Sequence, residues 1–107
     1  KTLKKKTEEI PIDGAFVFIG LDPNTTFLKD NDVRLNDWGF IVTGHELSHT
    51  DHLSGAYEKR DPYLLETSLP GVFAAGDVRD NSTKQVVSAA GEGGTAALFV
   101  REYLKHA

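Results

Sequence analysis

The sequence contains no cysteine and no methionine. Without cysteine, residues 1–107 cannot form a disulfide, a thiolate metal site or a CxxC redox centre. No apolar run approaches the ~20 residues that a membrane-spanning helix needs, and no apolar signal segment follows the basic start of the chain. These absences predict a cytoplasmic protein whose segment 1–107 carries no thiol chemistry of its own.

Neither sign of charge predominates, because the net charge is only −4 and acidic and basic residues are mixed along the chain. The KTLKKK start is the one basic cluster, and a short cluster of this kind is typical of a solvated strand edge rather than a nucleic-acid site. A hydrophobic content of 39% and a charged content of 26% are those of a folded domain. With 107 residues and no methionine at position 1, we expect a single partial domain cut from a longer protein.

Several short strands are predicted in the first half of the chain. Residues 15–19 (AFVFI) form a continuous apolar run that ends at Gly20, which predicts a strand buried on both faces. Residues 33–35 and 39–42 flank a turn-forming Asn-Asp-Trp-Gly and predict a hairpin. Residues 44–65 are polar and aperiodic, and they indicate a surface insertion.

A long C-terminal helix is predicted over about residues 84–104. Apolar or small residues recur every three or four positions and would form its packed face; they are Val86, Ala89 or Ala90, Gly93, Ala97, Val100 and Leu104. Ser82 and Thr83 offer N-cap side chains. Glycines at 91, 93 and 94 disfavour a helix, so they indicate close approach of another element or a ligand.

The sequence HELSH at residues 45–49 matches the HExxH pattern of zinc peptidases. That pattern binds zinc when both histidines share one face of an α-helix. The segment is polar on every side, so we interpret it as a histidine-rich surface loop and predict no metal site. A zinc peptidase is a remote alternative.

The most informative stretch is residues 66–85, ETSLPGVFAAGDVRDNSTKQ. A turn at Pro70-Gly71 leads into a small apolar strand at 72–75, which ends at Gly76-Asp77 before a polar loop and the helix. An aspartate at the carboxyl end of such a strand can accept hydrogen bonds from ligand hydroxyls, and the helix N-terminus suits an anionic group. These residues predict a polyol- or nucleotide-type ligand, with a helix-capping Asp77 and no ligand as the alternative.

The segments TSLPGVFAAGDVRD, KQ and SAAGEGGTAALFVREYL resemble the C-terminal FAD-domain segment of thioredoxin reductase-like flavoproteins, which are class II pyridine nucleotide-disulfide oxidoreductases. The segments FVFIGLDPNT and LNDWGFIVT resemble the same family further upstream. The resemblance implies an α/β fold, namely the C-terminal part of a Rossmann-like FAD-binding domain with a parallel strand near residues 72–75.

The resemblance also implies roles for individual residues. Asp77 would bond the ribityl chain of FAD, and Gly76 would allow close approach of the backbone. Lys84, Gln85 and Val86 would lie beside the flavin ring at the helix N-terminus, and Gly20 would face the cofactor region. No catalytic residue is expected in this segment.

The parent protein implied by the resemblance is an NADPH-dependent disulfide reductase. It would pass hydride from NADPH to FAD and then electrons to a thioredoxin-like or other disulfide protein. The FAD-binding GxGxxG, the NADPH site and the CxxC of the family are not in this segment. We therefore expect the isolated segment to be inactive and to bind FAD weakly or not at all. Its expected partners are the remainder of the flavoprotein chain and a second copy.

Two further interpretations stay open from the sequence. One is a flavoenzyme related to ferredoxin–NADP reductase, which has no dithiol. The other is a non-catalytic interaction piece.

Overall fold

The described chain consists of turns, loops and short 3-10 helices, followed by one long α-helix. The computed structural model describes residues 5–49 and 55–107, without the side chains of residues 48, 49 and 56. Three short 3-10 helices precede the α-helix, at Thr26–Leu28, Gly44–His49 and Gly55–Glu58. The α-helix, named α1, spans Val86–His106.

The predicted hairpin is present, reduced to a single bridge. Leu35 and Ile41 form an antiparallel bridge, and the Val42 amide donates to the Arg34 carbonyl at 3.0 Å. The Asn36 side chain shapes the turn, because its Oδ1 accepts from the amides of Trp38 and Phe40, both at 2.9 Å. Asparagine at this position therefore specifies the turn through its side chain.

Two further bridges connect this hairpin region to the rest of the chain. Ile41 pairs with Arg79 in parallel, and Glu66 pairs with Phe73 in the antiparallel sense. The prediction of a parallel strand at residues 72–75 is therefore wrong, because Phe73 pairs with Glu66 in the antiparallel sense and through one bridge. A strand of a parallel sheet needs parallel neighbours along its edges, and the described residues supply none beside residues 72–75.

A small core lies where these bridges meet. Val33, Ile41 and Ala74 are buried together, and three half-buried apolar residues pack against them, Leu28, Leu35 and Val78. The core therefore joins the hairpin to the strand-like segment before Gly76.

The apolar run at residues 15–19 departs most from expectation. It was predicted as a doubly buried strand, but it forms no strand and its side chains are exposed, with Phe16 at 88%, Phe18 at 91% and Ile19 at 89%. Burial on both faces requires covering elements on both sides, and the described residues provide neither. The chain is accordingly extended, with a radius of gyration of 18.7 Å against about 13 Å for a compact domain of this size.

Residues 44–65 contribute to the interior as well as to the surface. Leu47 and Leu65 have almost no exposed area, and Tyr57 is buried with its hydroxyl donating to the Thr67 carbonyl at 2.7 Å. The surface character predicted for this range does not hold for these three residues. The description as an insertion stays a prediction.

The helix α1 forms as predicted, but with a different packed face. Val86, predicted to be packed, is 88% exposed, and Leu104 is 66% exposed. Aromatic side chains pack instead: the Phe99 ring lies 5.5 Å from that of Tyr63, and the Tyr103 ring lies 6.3 Å from that of Phe73. The described residues do not cover Val86 and Leu104 on the predicted face.

The N-terminus of α1 also differs from the prediction. The N-cap is Gln85, which makes no side-chain capping bond, so Ser82 and Thr83 are not the caps. Lys84 has a positive φ of 57°, which turns the chain between these two residues and the helix. Nothing lies within 4 Å of a Cβ built at Gly91, Gly93 or Gly94, so the predicted close approach is not made by the described residues. Among those residues, no helix is both long and apolar enough to cross a membrane.

Candidate functional site

The turn at Gly76-Asp77 is tightly built. Gly76 is buried with a φ of +85°, a left-handed conformation that glycine adopts without the steric cost of a Cβ. Its carbonyl accepts from the Arg79 amide at 3.1 Å, which closes the turn. A Cβ added to Gly76 would lie 3.5 Å from the Cβ of Ala89, so α1 passes directly behind this turn.

A cavity of about 260 Å³ opens beside Asp77. Its lining comes from three parts of the chain that are far apart in sequence; the residues are Leu21, Asp22, Pro23, Asn24, Phe40, Asp77 and Val78. Asp77 is exposed, and no hydrogen bond to its carboxylate is found within residues 5–49 and 55–107. The fold therefore brings the segment after Gly20 to the predicted ligand-binding aspartate.

The Lys84 ammonium contacts the ring of Phe40, which lines the same cavity. The Lys84 Nζ lies 4.1 Å from the centre of the Phe40 ring, and it donates to the Arg79 carbonyl and to the Ser82 hydroxyl, both at 2.8 Å. The ammonium is therefore held against the loop after Asp77. Its cation–π contact places it at the ring that lines the cavity.

Gln85 and Val86 mark an uncapped helix end. Both side chains are exposed, and the first turn contains no acidic residue. The first amides of a helix have no partners inside the helix, and the helix dipole makes this end positive. The start of α1 can thus accept an anionic or hydrogen-bond-accepting group.

Of the six predicted site residues, only Asp77 lines this cavity, and Gly76, Lys84, Gln85 and Val86 lie outside its lining. Gly20 lies outside it as well. It is exposed with a φ of +84°, and nothing lies within 4 Å of a Cβ built on it. It directly precedes Leu21, which lines the cavity. Its positive φ makes it the turn that directs the chain there.

Sequence reasoning missed the carboxylate that lies behind this turn. Glu92 of α1 accepts from the Gly76 amide at 2.7 Å and pairs with the Arg79 guanidinium at 2.7 Å. The bond from Arg79 lowers the pKa of Glu92, and the same bond raises the pKa of Arg79. A charged residue between glycines inside a helix was the available signal.

The HELSH segment does not have the geometry of a zinc peptidase. It lies in the 3-10 helix Gly44–His49, where residues three apart, rather than four apart, align. Its Glu46 accepts from the Asn81 side chain at 2.7 Å. The His49 side chain lies outside the described part of the chain. Across the described part, no group of three or more His, Asp or Glu side chains is arranged to hold a metal ion.

Comparison with known proteins identifies the family to which this arrangement belongs. Residues 1–93 match the family described as Pyridine nucleotide-disulphide oxidoreductase. The chain belongs to this family. The match covers the hairpin, the Gly76-Asp77 turn and the first part of α1.

Individual members of the family give the same result. The chain is 35% identical over 96 residues to a thioredoxin reductase of Listeria monocytogenes, covering 90% of this chain and 24% of the relative. It is 37% identical over 101 residues to a 34.2 kDa protein in the rubredoxin operon of Clostridium pasteurianum, covering 94% and 26%. The predicted resemblance to a thioredoxin reductase-like FAD-domain segment is confirmed.

Solved structures of thioredoxin reductases share the fold. The enzyme of Streptococcus pyogenes superposes with a TM-score of 0.62 at 32% identity, covering 88% of this chain and 24% of that chain. The enzyme of T. acidophilum superposes with a TM-score of 0.59 at 38% identity over the same shares. These neighbours support the α/β fold class, and the chain spans about a quarter of the length of its relatives.

Proposed function

We propose that this chain is the C-terminal part of the FAD-binding domain of an NADPH-dependent disulfide reductase of thioredoxin reductase type. The cavity beside Asp77 carries this proposal, because its lining comes from three of the segments that resemble the family, FVFIGLDPNT, LNDWGFIVT and TSLPGVFAAGDVRD. In the complete protein the chain would provide one wall of the FAD site.

The residues present are chemically suited to FAD. Asp77 offers an exposed carboxylate beside an apolar ring and a short loop, which suits a polyol chain next to an aromatic group. The uncapped N-terminus of α1 offers backbone amides at the positive end of the helix dipole. A carboxylate for hydroxyls and amides for an acceptor edge are the two kinds of group that the ribityl chain and the flavin ring require.

In the complete protein, FAD would supply the electron transfer between NADPH and a disulfide. The Asp77 carboxylate would accept hydrogen bonds from ribityl hydroxyls. The amides at Gln85 and Val86 would face the acceptor edge of the ring, where the helix dipole favours negative charge. Lys84 would add a positive charge beside Phe40, and the backbone of Gly76 would keep the site narrow.

The proposal extends to partners and location. The electron acceptor would be a thioredoxin-like or other disulfide protein, and the remainder of the flavoprotein chain would cover the exposed residues 15–19. A homodimer and a cytoplasmic location, both expected from the sequence, belong to the proposal as well.

The test uses the complete protein that carries this chain. We expect it to purify with bound FAD, to be reduced by NADPH, and to reduce a protein disulfide. An Asp77→Ala variant should bind FAD about tenfold or more weakly, because hydrogen bonds to a charged group contribute roughly 1.5–3 kcal/mol.

Asp37→Ala is the matched control, since Asp37 lies at the hairpin tip outside this cavity. Complete protein without flavin, or an Asp77→Ala variant with the FAD affinity of the wild type, would overturn the proposal. A flavin that NADPH reduces while protein disulfides stay oxidised would favour the ferredoxin–NADP reductase class instead.

A further inference from the structure

Glu92 is the carboxylate that connects α1 to the Gly76-Asp77 turn. Its Oε2 accepts from the Gly76 amide at 2.7 Å and from the Arg79 Nε at 3.1 Å. Its Oε1 accepts from a terminal nitrogen of Arg79 at 2.7 Å. One side chain of the helix therefore holds the turn at its first residue and again three residues later.

The contact is shielded from water on both sides. The side chain of Arg79 is 15% exposed and that of Glu92 is 17% exposed. Two-point pairing of a guanidinium with a carboxylate gives directional as well as electrostatic stabilisation, and it weakens less under screening than an exposed pair. This geometry defines the position of the turn relative to the helix.

Arg79 extends the same network to two more parts of the candidate site. Its guanidinium donates to the Thr43 hydroxyl at 3.3 Å, next to the hairpin, and its carbonyl accepts from Lys84 Nζ. The Ile41–Arg79 bridge attaches the same residue to the core. Glu92 therefore contacts the turn directly, and through Arg79 it is connected to the hairpin and to Lys84.

Two of the proposed FAD-binding groups, Asp77 and the N-terminus of α1, belong to the parts of the chain that this network connects. Asp77 follows Gly76 directly, and the helix N-terminus is on the same element as Glu92. A ligand that bonds both groups needs them at a set separation, and binding is stronger when that separation exists before the ligand arrives. The bond between Glu92 and the Gly76 amide is the direct connection between the two.

We propose that Glu92 is a positioning residue of the FAD site, which holds the Gly76-Asp77 turn at a set distance from the N-terminus of α1. The inference rests on the proposed function. Glu92 touches Gly76 and Arg79, and it acts on FAD only through the residues that it orients.

The experiment compares three variants of the complete protein: Glu92→Ala, Glu92→Gln and the control Glu102→Gln. Glu102 is another carboxylate of α1, but it is half-exposed, and its ion-pair partners among the described residues are Lys105 and His106 of the same helix. Flavin is removed, the affinity for added FAD is measured by fluorescence quenching, and the thermal unfolding of each apoprotein is recorded beside it. The visible circular dichroism of the bound flavin reports its orientation.

We expect Glu92→Ala to weaken FAD binding about tenfold to a hundredfold, the range of a charge-assisted hydrogen bond. Glu92→Gln should lie between this variant and the wild type, because its amide oxygen can still accept from Gly76 but cannot pair with the Arg79 charge. Both should alter the visible circular dichroism of the bound flavin, whereas Glu102→Gln should match the wild type in affinity and spectrum.

Different results overturn different statements. A wild-type protein that binds no FAD would overturn the proposed function and this inference with it. A wild type that binds FAD, together with Glu92 variants of unchanged affinity and flavin spectrum, would overturn this inference alone. If Glu92→Ala does not fold, Arg79→Lys replaces it, since lysine keeps the charge but loses the two-point geometry; unchanged flavin affinity and spectrum in Arg79→Lys and Glu92→Gln would then overturn the inference.

Discussion

The Glu66 carboxylate and the Arg60 guanidinium form two parallel hydrogen bonds, of 2.7 and 2.8 Å. The Glu66 side chain has no exposed surface, and its remaining acceptor capacity is used by the amides of Tyr63 at 3.0 Å and Gly71 at 2.9 Å. A buried carboxylate is tolerated only when it is paired and hydrogen-bonded in this manner. The residue that opens the most informative stretch of the sequence is therefore an anchor of the fold.

Three tyrosine rings surround the arginine of this pair. The Arg60 guanidinium carbon lies 5.1 Å from the Tyr57 ring centre, 5.0 Å from that of Tyr63 and 5.8 Å from that of Tyr103. Tyr103 belongs to α1, so the cluster attaches the C-terminal half of the helix to residues 57–66. Arg60 belongs to the charged run at residues 58–61, and its side chain is partly buried because Glu66 is near enough to bind it.

Replacing Arg60 by alanine should destabilise the chain by about 3 kcal/mol, because it leaves the Glu66 charge buried without its partner. This value is at the low end of what breaking a buried ion pair costs, because the Arg60 side chain is 34% exposed and its charge is partly screened by water. Urea unfolding followed by the circular dichroism of α1 measures the change. Lys59→Ala removes the exposed neighbouring charge and should have little effect. Equal midpoints for the two variants would contradict the assignment.

Acid should destabilise the chain through Glu66 and Glu92. Burial raises the pKa of Glu66, but hydrogen bonds from Arg60, Gly71 and Tyr63 outweigh it, so the net pKa is lowered from the ordinary 4.5. The bond from Arg79 lowers the pKa of Glu92. A carboxylate with a lowered folded-state pKa stabilises the fold above its unfolded-state value and loses that contribution as the pH falls through the folded-state value.

We therefore expect the urea midpoint to be maintained above pH 4.5 and to fall steadily below it. Glu92→Gln should make that fall less steep, and the control Glu102→Gln should retain the wild-type slope. Parallel acid profiles for all three proteins would show that Glu92 does not contribute.

Gly44 should be intolerant of alanine. Its φ is +61°, and a Cβ there would collide with the backbone carbonyl of Leu64, which cannot rotate away as a side chain can. Left-handed strain and overpacking together predict a loss of about 3 kcal/mol. Gly14→Ala is the matched control, because Gly14 is exposed with nothing within 4 Å of its built Cβ. Urea midpoints of the two variants should differ clearly, and similar values would contradict the structure of this turn.

Lys84 carries backbone strain that glycine should relieve. Its φ of 57° is left-handed, which costs a residue with a side chain roughly 1–2 kcal/mol. Lys84→Ala and Lys84→Gly both lose the contacts of Nζ, so their difference isolates the backbone. Even after the greater freedom of glycine in the unfolded chain is subtracted, we expect the glycine variant to be more stable by about 1 kcal/mol. An alanine variant at least as stable would show that the strain is absent.

The isolated chain of residues 1–107 should bind FAD weakly or not at all and should be inactive. The cavity beside Asp77 is open, and the chain spans about a quarter of its relatives' length, so under the proposed function the other walls of the FAD site lie outside residues 1–107. Gel filtration of the purified chain with excess FAD tests this prediction. Flavin absorbance that travels with the protein peak would contradict it.

The local elements were predictable because their determinants are local. Asn36 and Gly39 specify the hairpin turn through a side-chain acceptor and a positive φ. The spacing of helix formers after Gln85 specifies α1, and Gly76 specifies a left-handed turn before Asp77. The roles of Gly20, Gly76, Asp77, Lys84, Gln85 and Val86 in FAD binding stay predictions.

What the sequence determined by itself was the turn chemistry and the long helix, which residues close together along the chain specify, and membership of the flavoprotein family, which short stretches of characteristic sequence carry. Only the tertiary structure decided which face of α1 packs, that residues 15–19 stay exposed, and that Arg60–Glu66 and Glu92–Arg79 are ion pairs. The physical reason is that burial and ion pairing depend on what lies opposite a side chain in space. Periodicity identifies an apolar face, and a neighbouring element decides whether that face is covered.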